Sequence, residues 1–394
     1  MLRVLVLSTL FPNRTRPLFG TFVERQTLGL AARDDVEVRI VVPRGLPPAP
    51  LDRHSRYRAD AALALCEDWQ GVRLYRPRFL HLPQIGARYD ARLMVRALTP
   101  LLREIRRDFA FDVIAAEYFF PDGPAAVELG RKLGVPVSIK ARGSDINVWG
   151  KRTDTGPQVL AAGRAAGGML AVSAAMKREM VALGMPHEKI HVHYTGVDRN
   201  LFHVRDRAEA KKKLGVTGPL VVTVAPLIAR KGVDLVVKAM AQLPGATLVV
   251  TGAGPDEAML RMLAAQYGVG DRVHLFGIQP RPVVADWLAA ADVMALPSAS
   301  EGLANAWVEA LASGTPIVIA DVGGASELVQ GEAAGKLVTR EAGAIAQAVK
   351  AFIANPPDRA AICQSIDRFS WETNRDALYD HLCAIVAAHK VGPQ

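Results

Sequence analysis

Residues 291–327 read ADVMALPSASEGLANAWVEALASGTPIVIADVGGASE, and the fold turns on them. Val293–Leu296 is an apolar run short enough for a strand buried on both faces. Pro297-Ser298-Ala299-Ser300 breaks the run into a loop. Glu301-Gly302-Leu303-Ala304-Asn305 leads into a helical spacing through Trp307, Val308 and Leu311, which Gly314 and Pro316 stop. Ile317–Ala320 is a second buried strand. The stretch is a strand–loop–helix–strand unit with its loop at the helix N-terminus.

Such a loop suits an anion, because the first N–H groups of a helix lack partners and the peptide dipoles favour negative charge there. Gly302 would let the backbone approach a ligand. Glu301 precedes the helix and Glu309 lies about two turns inside it. Carboxylates would be repelled by a diphosphate, so both are assigned to neutral donors such as sugar or ribose hydroxyls. Spacing alone equally fits an ordinary crossover with two solvated glutamates.

Alternation of short apolar runs with helical spacing extends outward in both directions. In the second half, strand 220–225 leads into Pro226-Leu227-Ile228-Ala229-Arg230-Lys231-Gly232 and helix 233–242. Strand Thr247–Thr251 ends in Gly252-Ala253-Gly254-Pro255, and strand 273–276 in Gly277-Ile278-Gln279. Helices follow at 342–356, at 358–366 and from Trp371 to about 389. In the first half, strand Leu2–Leu7 opens a long loop to Gly20 and helix 22–33. Strand 36–42, an irregular basic loop 44–58, helix 89–107 and strand 112–116 follow. Strand 135–140 runs into Arg142-Gly143-Ser144-Asp145, and strands 169–172 and 190–194 close the half. Neither half carries G-x-G-x-x-G, which argues against a dinucleotide site. Two doubly wound α/β domains are expected, with ligands at the C-terminal ends of their strands.

Glu301…Glu309 spaced as E-x7-E, followed by EALASGTPIVIADVGGASELV, resembles the donor signature of the retaining, nucleotide-sugar-dependent glycosyltransferases of family 4. The resemblance covers the second half and recurs more weakly in the first. It implies the GT-B fold, two Rossmann-like domains facing across a cleft with a C-terminal helix crossing back to the first. The implied division is an acceptor-side domain 1–198, a charged connector 199–216, a nucleotide-sugar domain 217–370 and the returning helix 371–394, anchored by Trp371.

It also implies roles. Lys231, Arg230 and the backbone of Gly302, Leu303, Ala304 and Asn305 would face the donor diphosphate. Glu301 would hold sugar hydroxyls, Glu309 the ribose, and the main chain at Ile278 the base. Gly20 lies in a loop that touches donor or acceptor in the family, or serves only its own turn. Two departures stand out: Pro226 replaces an expected arginine, whose charge Arg230 could restore, and Arg142 replaces the histidine of His-Gly-x-Asp. Arg142 could hold an acceptor or donor phosphate and Asp145 could orient an acceptor hydroxyl, or either could belong to a structural ion pair. No Asp-x-Asp motif is present, which fits transfer without a metal or other cofactor; the resemblance implies retention and a glycan or lipid-linked acceptor, as in surface polysaccharide synthesis. A 2-epimerase of the same fold and a non-catalytic sugar-binding protein are the alternatives.

Bulk properties narrow the setting. The 394 residues are 50% apolar, enough for two cores, and no run approaches the ~18 residues of a membrane span. No signal-peptide pattern opens the chain, and Cys66, Cys363 and Cys383 have neither metal nor disulfide spacing, so a reducing cytoplasm is expected. His191 and His193 share a strand face and read as packing rather than as a metal pair. Residues 1–112 hold 19 Arg, no Lys and 12 acidic residues, or +7 of the formal +9. Arg88, Arg92, Arg96, Arg103 and Arg107 recur at helical steps, a row suited to an anionic membrane surface or to plain solvation. No nucleic-acid module is present.

Overall fold

The computed structural model describes residues 1–83 and 86–391, without the side chain of Arg56. The end of the expected C-terminal segment, 392–394, lies outside the described residues. The chain forms two compact units. One is Met1–Gly196 together with the chain from Trp371 onward, and the other is Val197–Ser370.

Among the described residues the first unit contains ten strands: β1 (Leu2–Leu7), β2 (Val36–Val41), β3 (Arg44–Leu46), β4 (Cys66–Trp69), β5 (Val72–Tyr75), β6 (Arg78–Leu80), β7 (Val113–Ala116), β8 (Val137–Ala141), β9 (Gly168–Ala171) and β10 (Ile190–Val192). Eight form one sheet in the order β10-β9-β8-β7-β1-β2-β5-β4, and β3 pairs with β6. The large sheet is parallel except for β4 on β5. Chain order runs in opposite directions from β1 and from β7, so the loops after these two strands diverge and leave a crevice. The expected irregular loop 44–58 is a correction: it contains β3 and the start of the helix Ser55–Ala61. β3 is only three residues long and stabilised by its pairing with β6, which no local period announces.

Helix Trp371–Val391 returns to this unit, as the fold requires. Its Leu378, Leu382 and Val386 stand at i, i+4 and i+8, one face of a helix. They are buried in one core with Val4, Val6, Val23 and Leu30. Three such side chains contribute on the order of 5 kcal/mol as an upper bound. Trp371 is only half-buried, lying against Gly196, so the anchor is this aliphatic stripe.

The second unit contains β11 (Leu220–Val224), β12 (Thr247–Thr251), β13 (Val273–Leu275), β14 (Val293–Leu296), β15 (Ile317–Ala320) and β16 (Gly335–Val338). They form one sheet in the order β13-β12-β11-β14-β15-β16, with every pair parallel. Counted from β11, this is the 3-2-1-4-5-6 order of a Rossmann sheet, with its switch point between β11 and β14. Segment 199–216 is not a free connector but part of this unit. Its helix Arg207–Lys213 places Lys211 2.5 Å from Asp292, and Lys213 2.8 Å from Asp286. The charge that suggests a solvated linker is spent on ion pairs with helix Arg281–Ala290 and the turn after it.

Candidate functional site

The loops after β11 and β14 flank the switch point of the second unit and are tied together. The Ala299 N–H donates to the Arg230 carbonyl at 2.7 Å, and Arg230 donates to the Ser300 carbonyl. Gly232 has φ +69°, and a Cβ there would lie 2.5 Å from the Pro297 carbonyl oxygen. Gly323 has φ +54°, and a Cβ there would lie 2.2 Å from the carbonyl oxygen of Glu301. Both positions need glycine for conformation and for space.

These packed loops bring the predicted charges together. Lys231 donates its Nζ to Glu301 Oε1, with side chains 11% and 9% exposed. The Arg230 guanidinium is 3.7 Å from Glu301 Oε2 and more open to solvent. Two cations thus share one carboxylate. Beside them Gly302, Leu303 and Ala304 lead into helix Asn305–Ala312, and no side chain caps its N-terminus. The Gly302 carbonyl is fixed by the Gly324 N–H at 2.8 Å. An excess positive charge next to an uncapped helix start favours an anion.

Glu309 lies one turn inside this helix, not two, because the helix begins only at Asn305. It is buried and paired with Arg281 at 3.0 Å, a residue that sequence reasoning missed. Ile278 is 67% exposed, in a loop whose Gly277 carbonyl accepts the Gly252 N–H at 2.7 Å. Phe276 before it stacks on Trp287 at 5.4 Å.

In the first unit the crevice-side groups are deeply buried. Asp145 is wholly buried, and its carboxylate accepts the N–H groups of Phe119 at 2.9 Å, Arg142 at 3.0 Å and Gly143 at 2.7 Å. A carboxylate engaged by these main-chain donors holds the loop in place. Burial raises its pKa, against those N–H bonds. Arg142 is ion-paired with Glu117, the two side chains being 5% and 3% exposed, and stacks on Phe22 at 4.9 Å. Burial lowers its pKa while Glu117 supports its charge. Gly20 has φ +74°, and a Cβ there would lie 2.6 Å from Leu10 backbone, so its visible task is to seat its own loop.

Behind Arg142 lies a buried polar chain. His193 Nε2 lies 2.8 Å from the Asn374 carbonyl, which can only accept, so Nδ1 is the acceptor for Lys140 Nζ at 2.6 Å. Lys140 also donates to Gln26 at 2.6 Å, and Gln26 donates to Glu117 at 2.7 Å. Burial, then the Arg142 cation, drives the Lys140 pKa well down; burial, then Lys140, does the same to His193. The cue in the sequence was a lysine at the end of the apolar strand VSIKA.

Asp122 was also missed. It is fully buried, accepts the Thr9 N–H at 2.8 Å, and burial pushes its pKa up to about 7. Between the ordinary aspartate value and about 7 the folded chain holds a proton that the unfolded chain has released. Its contribution to stability therefore falls as pH rises through that window and is constant above it. Asp122→Asn removes this titration, so the variant should gain on wild type between pH 5 and pH 8, by up to ~2.5 kcal/mol. Urea unfolding of both proteins at the two pH values measures the gain; an unchanged difference would contradict it.

The family described as Glycosyl transferases group 1 matches residues 204–367, and Glycosyltransferase Family 4 matches residues 20–201. D-inositol 3-phosphate glycosyltransferase 1 of Catenulispora acidiphila is 31% identical over 297 residues, 68% of this chain and 71% of that protein. The chain belongs to the group 1 glycosyltransferases. A Bacillus subtilis (strain 168) relative named for teichuronic acid biosynthesis, glycosyltransferase TuaC, is 28% identical over 83% of each chain. Among solved structures, sucrose-phosphate synthase of Thermosynechococcus elongatus aligns over 98% of this chain and 100% of that one, with TM-score 0.78 and 20% identity. Anabaena Alr3699/HepE, solved with UDP, covers the same shares with TM-score 0.75 and 20% identity. These likenesses place this group 1 glycosyltransferase in the GT-B fold. Among the described residues no helix is long and apolar enough to cross a membrane.

Proposed function

We propose that this glycosyltransferase moves a sugar from a nucleoside-diphosphate sugar to a glycan or lipid-linked acceptor, with retention, in surface polysaccharide synthesis. The observation that carries the donor half is the convergence of Lys231, Arg230, Glu301 and an uncapped helix start at the switch point of a Rossmann sheet. Structural neighbours solved with UDP and UDP-glucose support a nucleotide-sugar donor, and the relative named for teichuronic acid supports the polymer setting.

In this reading the bond from the anomeric carbon to the diphosphate breaks, and charge builds on the departing phosphate oxygen. Lys231, Arg230 and the first N–H groups of the helix meet that charge without a divalent ion. Glu301, displaced from Lys231 by the ligand, takes sugar hydroxyls. The acceptor oxygen bonds to the anomeric carbon from the face the diphosphate leaves, and its proton passes to the departing phosphate. Acceptor binding falls to the first unit. There the exposed arginines at 88, 92, 96, 103 and 107 line the solvent face of helix Ala87–Asp108, opposite buried Met94, Leu98 and Leu102, a surface suited to anionic lipid headgroups.

Purified protein incubated with UDP-, GDP- and ADP-sugars, with and without polyprenyl-linked acceptors and with chelator, tests the proposal. Nucleoside diphosphate release that requires acceptor and survives chelation is expected. Conversion of the donor without acceptor would favour epimerisation instead, and loss of turnover in chelator would remove the metal-free step.

A further inference from the structure

Arg281 is a cation in the first turn of helix Arg281–Ala290, where the helix dipole disfavours positive charge. Two contacts hold it there. Its guanidinium lies 3.0 Å from Glu309 and 5.1 Å from the ring centre of buried Phe202. Its Nε is buried without a partner among the described residues, and its Nη2 is the atom that meets Glu309 Oε1. The Glu309 side chain is 12% exposed and rises from helix Asn305–Ala312. Two helices and Phe202 thus fix one carboxylate at the edge of the candidate donor site.

A carboxylate that is to accept hydrogen bonds from both hydroxyls of a vicinal diol has to be ionised and held in one rotamer. An arginine fork supplies both conditions, and a lysine would supply only the charge. We infer that Arg281 is a positioning residue for nucleotide recognition, orienting Glu309 so that the site selects a ribose diol over a deoxyribose. The inference rests on the donor-site reading above, but nothing in that reading requires Arg281. The competing role is a pair that merely ties two helices together.

Calorimetric titration of the full chain with UDP and 2′,3′-dideoxy-UDP, and with the corresponding GDP pair, separates these roles. Wild type should prefer the ribonucleotide by about 10- to 100-fold, the range for hydrogen bonds to a charged group. Glu309→Gln and Arg281→Ala should both reduce that preference to below about 3-fold. Arg281→Met, which keeps a stem against Phe202, serves if the alanine variant does not fold, and Arg281→Lys should restore only part of the preference. Preference lost in Glu309→Gln but intact in Arg281→Ala and Arg281→Met would overturn the inference and leave the donor site standing. No preference in wild type would overturn both.

Discussion

Replacing Lys231 with alanine is expected to reduce sugar transfer by about 10²-fold or more, the scale set by removing one preorganised donor from a developing oxyanion. The loss should fall mainly on kcat at saturating donor, because charge on the diphosphate is greatest in the transition state. Lys231 suits this task because it is held ready: its Nζ is already on Glu301, in a loop fixed by Gly232 against Pro297. Its present partner complicates the variant, since Lys231→Ala leaves the nearly buried Glu301 with Arg230 at 3.7 Å as its remaining cation among the described residues. Lys231→Ala/Glu301→Gln removes that orphaned charge, should recover thermal stability, and should not recover kcat. Initial rates with the true donor, beside melting curves for both variants, make the separation. Near-native turnover in Lys231→Ala would mean that the diphosphate is gripped elsewhere.

The second unit was the more legible because its signals are local. Val293–Leu296 and Ile317–Ala320 fall where the apolar runs place them, and Gly314, with φ +69°, follows the helix it was expected to stop. What sequence could not supply was partnership across elements. Arg281 and Glu309 meet only because two helices pack, and Lys140, Gln26 and His193 meet only because β8, a helix and the end of β10 share one interior. β4, β5 and β6 were missed for a related reason. They are three or four residues long, too short for a period to show, and are stabilised by neighbours already in place. The partners of Lys211 and Lys213 in segment 199–216 were not legible because their aspartates lie more than seventy residues away in the chain.

Glu117→Gln is expected to destabilise the first unit by about 3–5 kcal/mol, since breaking a buried ion pair strands the remaining charge. At roughly 2–4 °C per kcal/mol for a domain of this size, the melting point should fall by about 10 °C. Arg142 has few other acceptors to turn to: its side chain is 5% exposed, its Nη1 is buried without a partner among the described residues, and Nε reaches the Glu117 carbonyl at 3.1 Å. Removing both charges should cost less than removing one, because desolvation opposes the Coulomb attraction of a buried pair. Glu117→Gln/Arg142→Gln is therefore expected to recover most of the loss, and the four-way cycle of melting free energies gives the coupling directly. Additive losses would mean that the two side chains do not depend on each other, and that Arg142 takes its place from Phe22 and the Gly143 turn instead. Coupling of several kcal/mol would explain how this chain tolerates a permanent cation at a buried position. The cation is neutralised at once by Glu117, and Gln26 carries the same carboxylate's second oxygen back to Lys140.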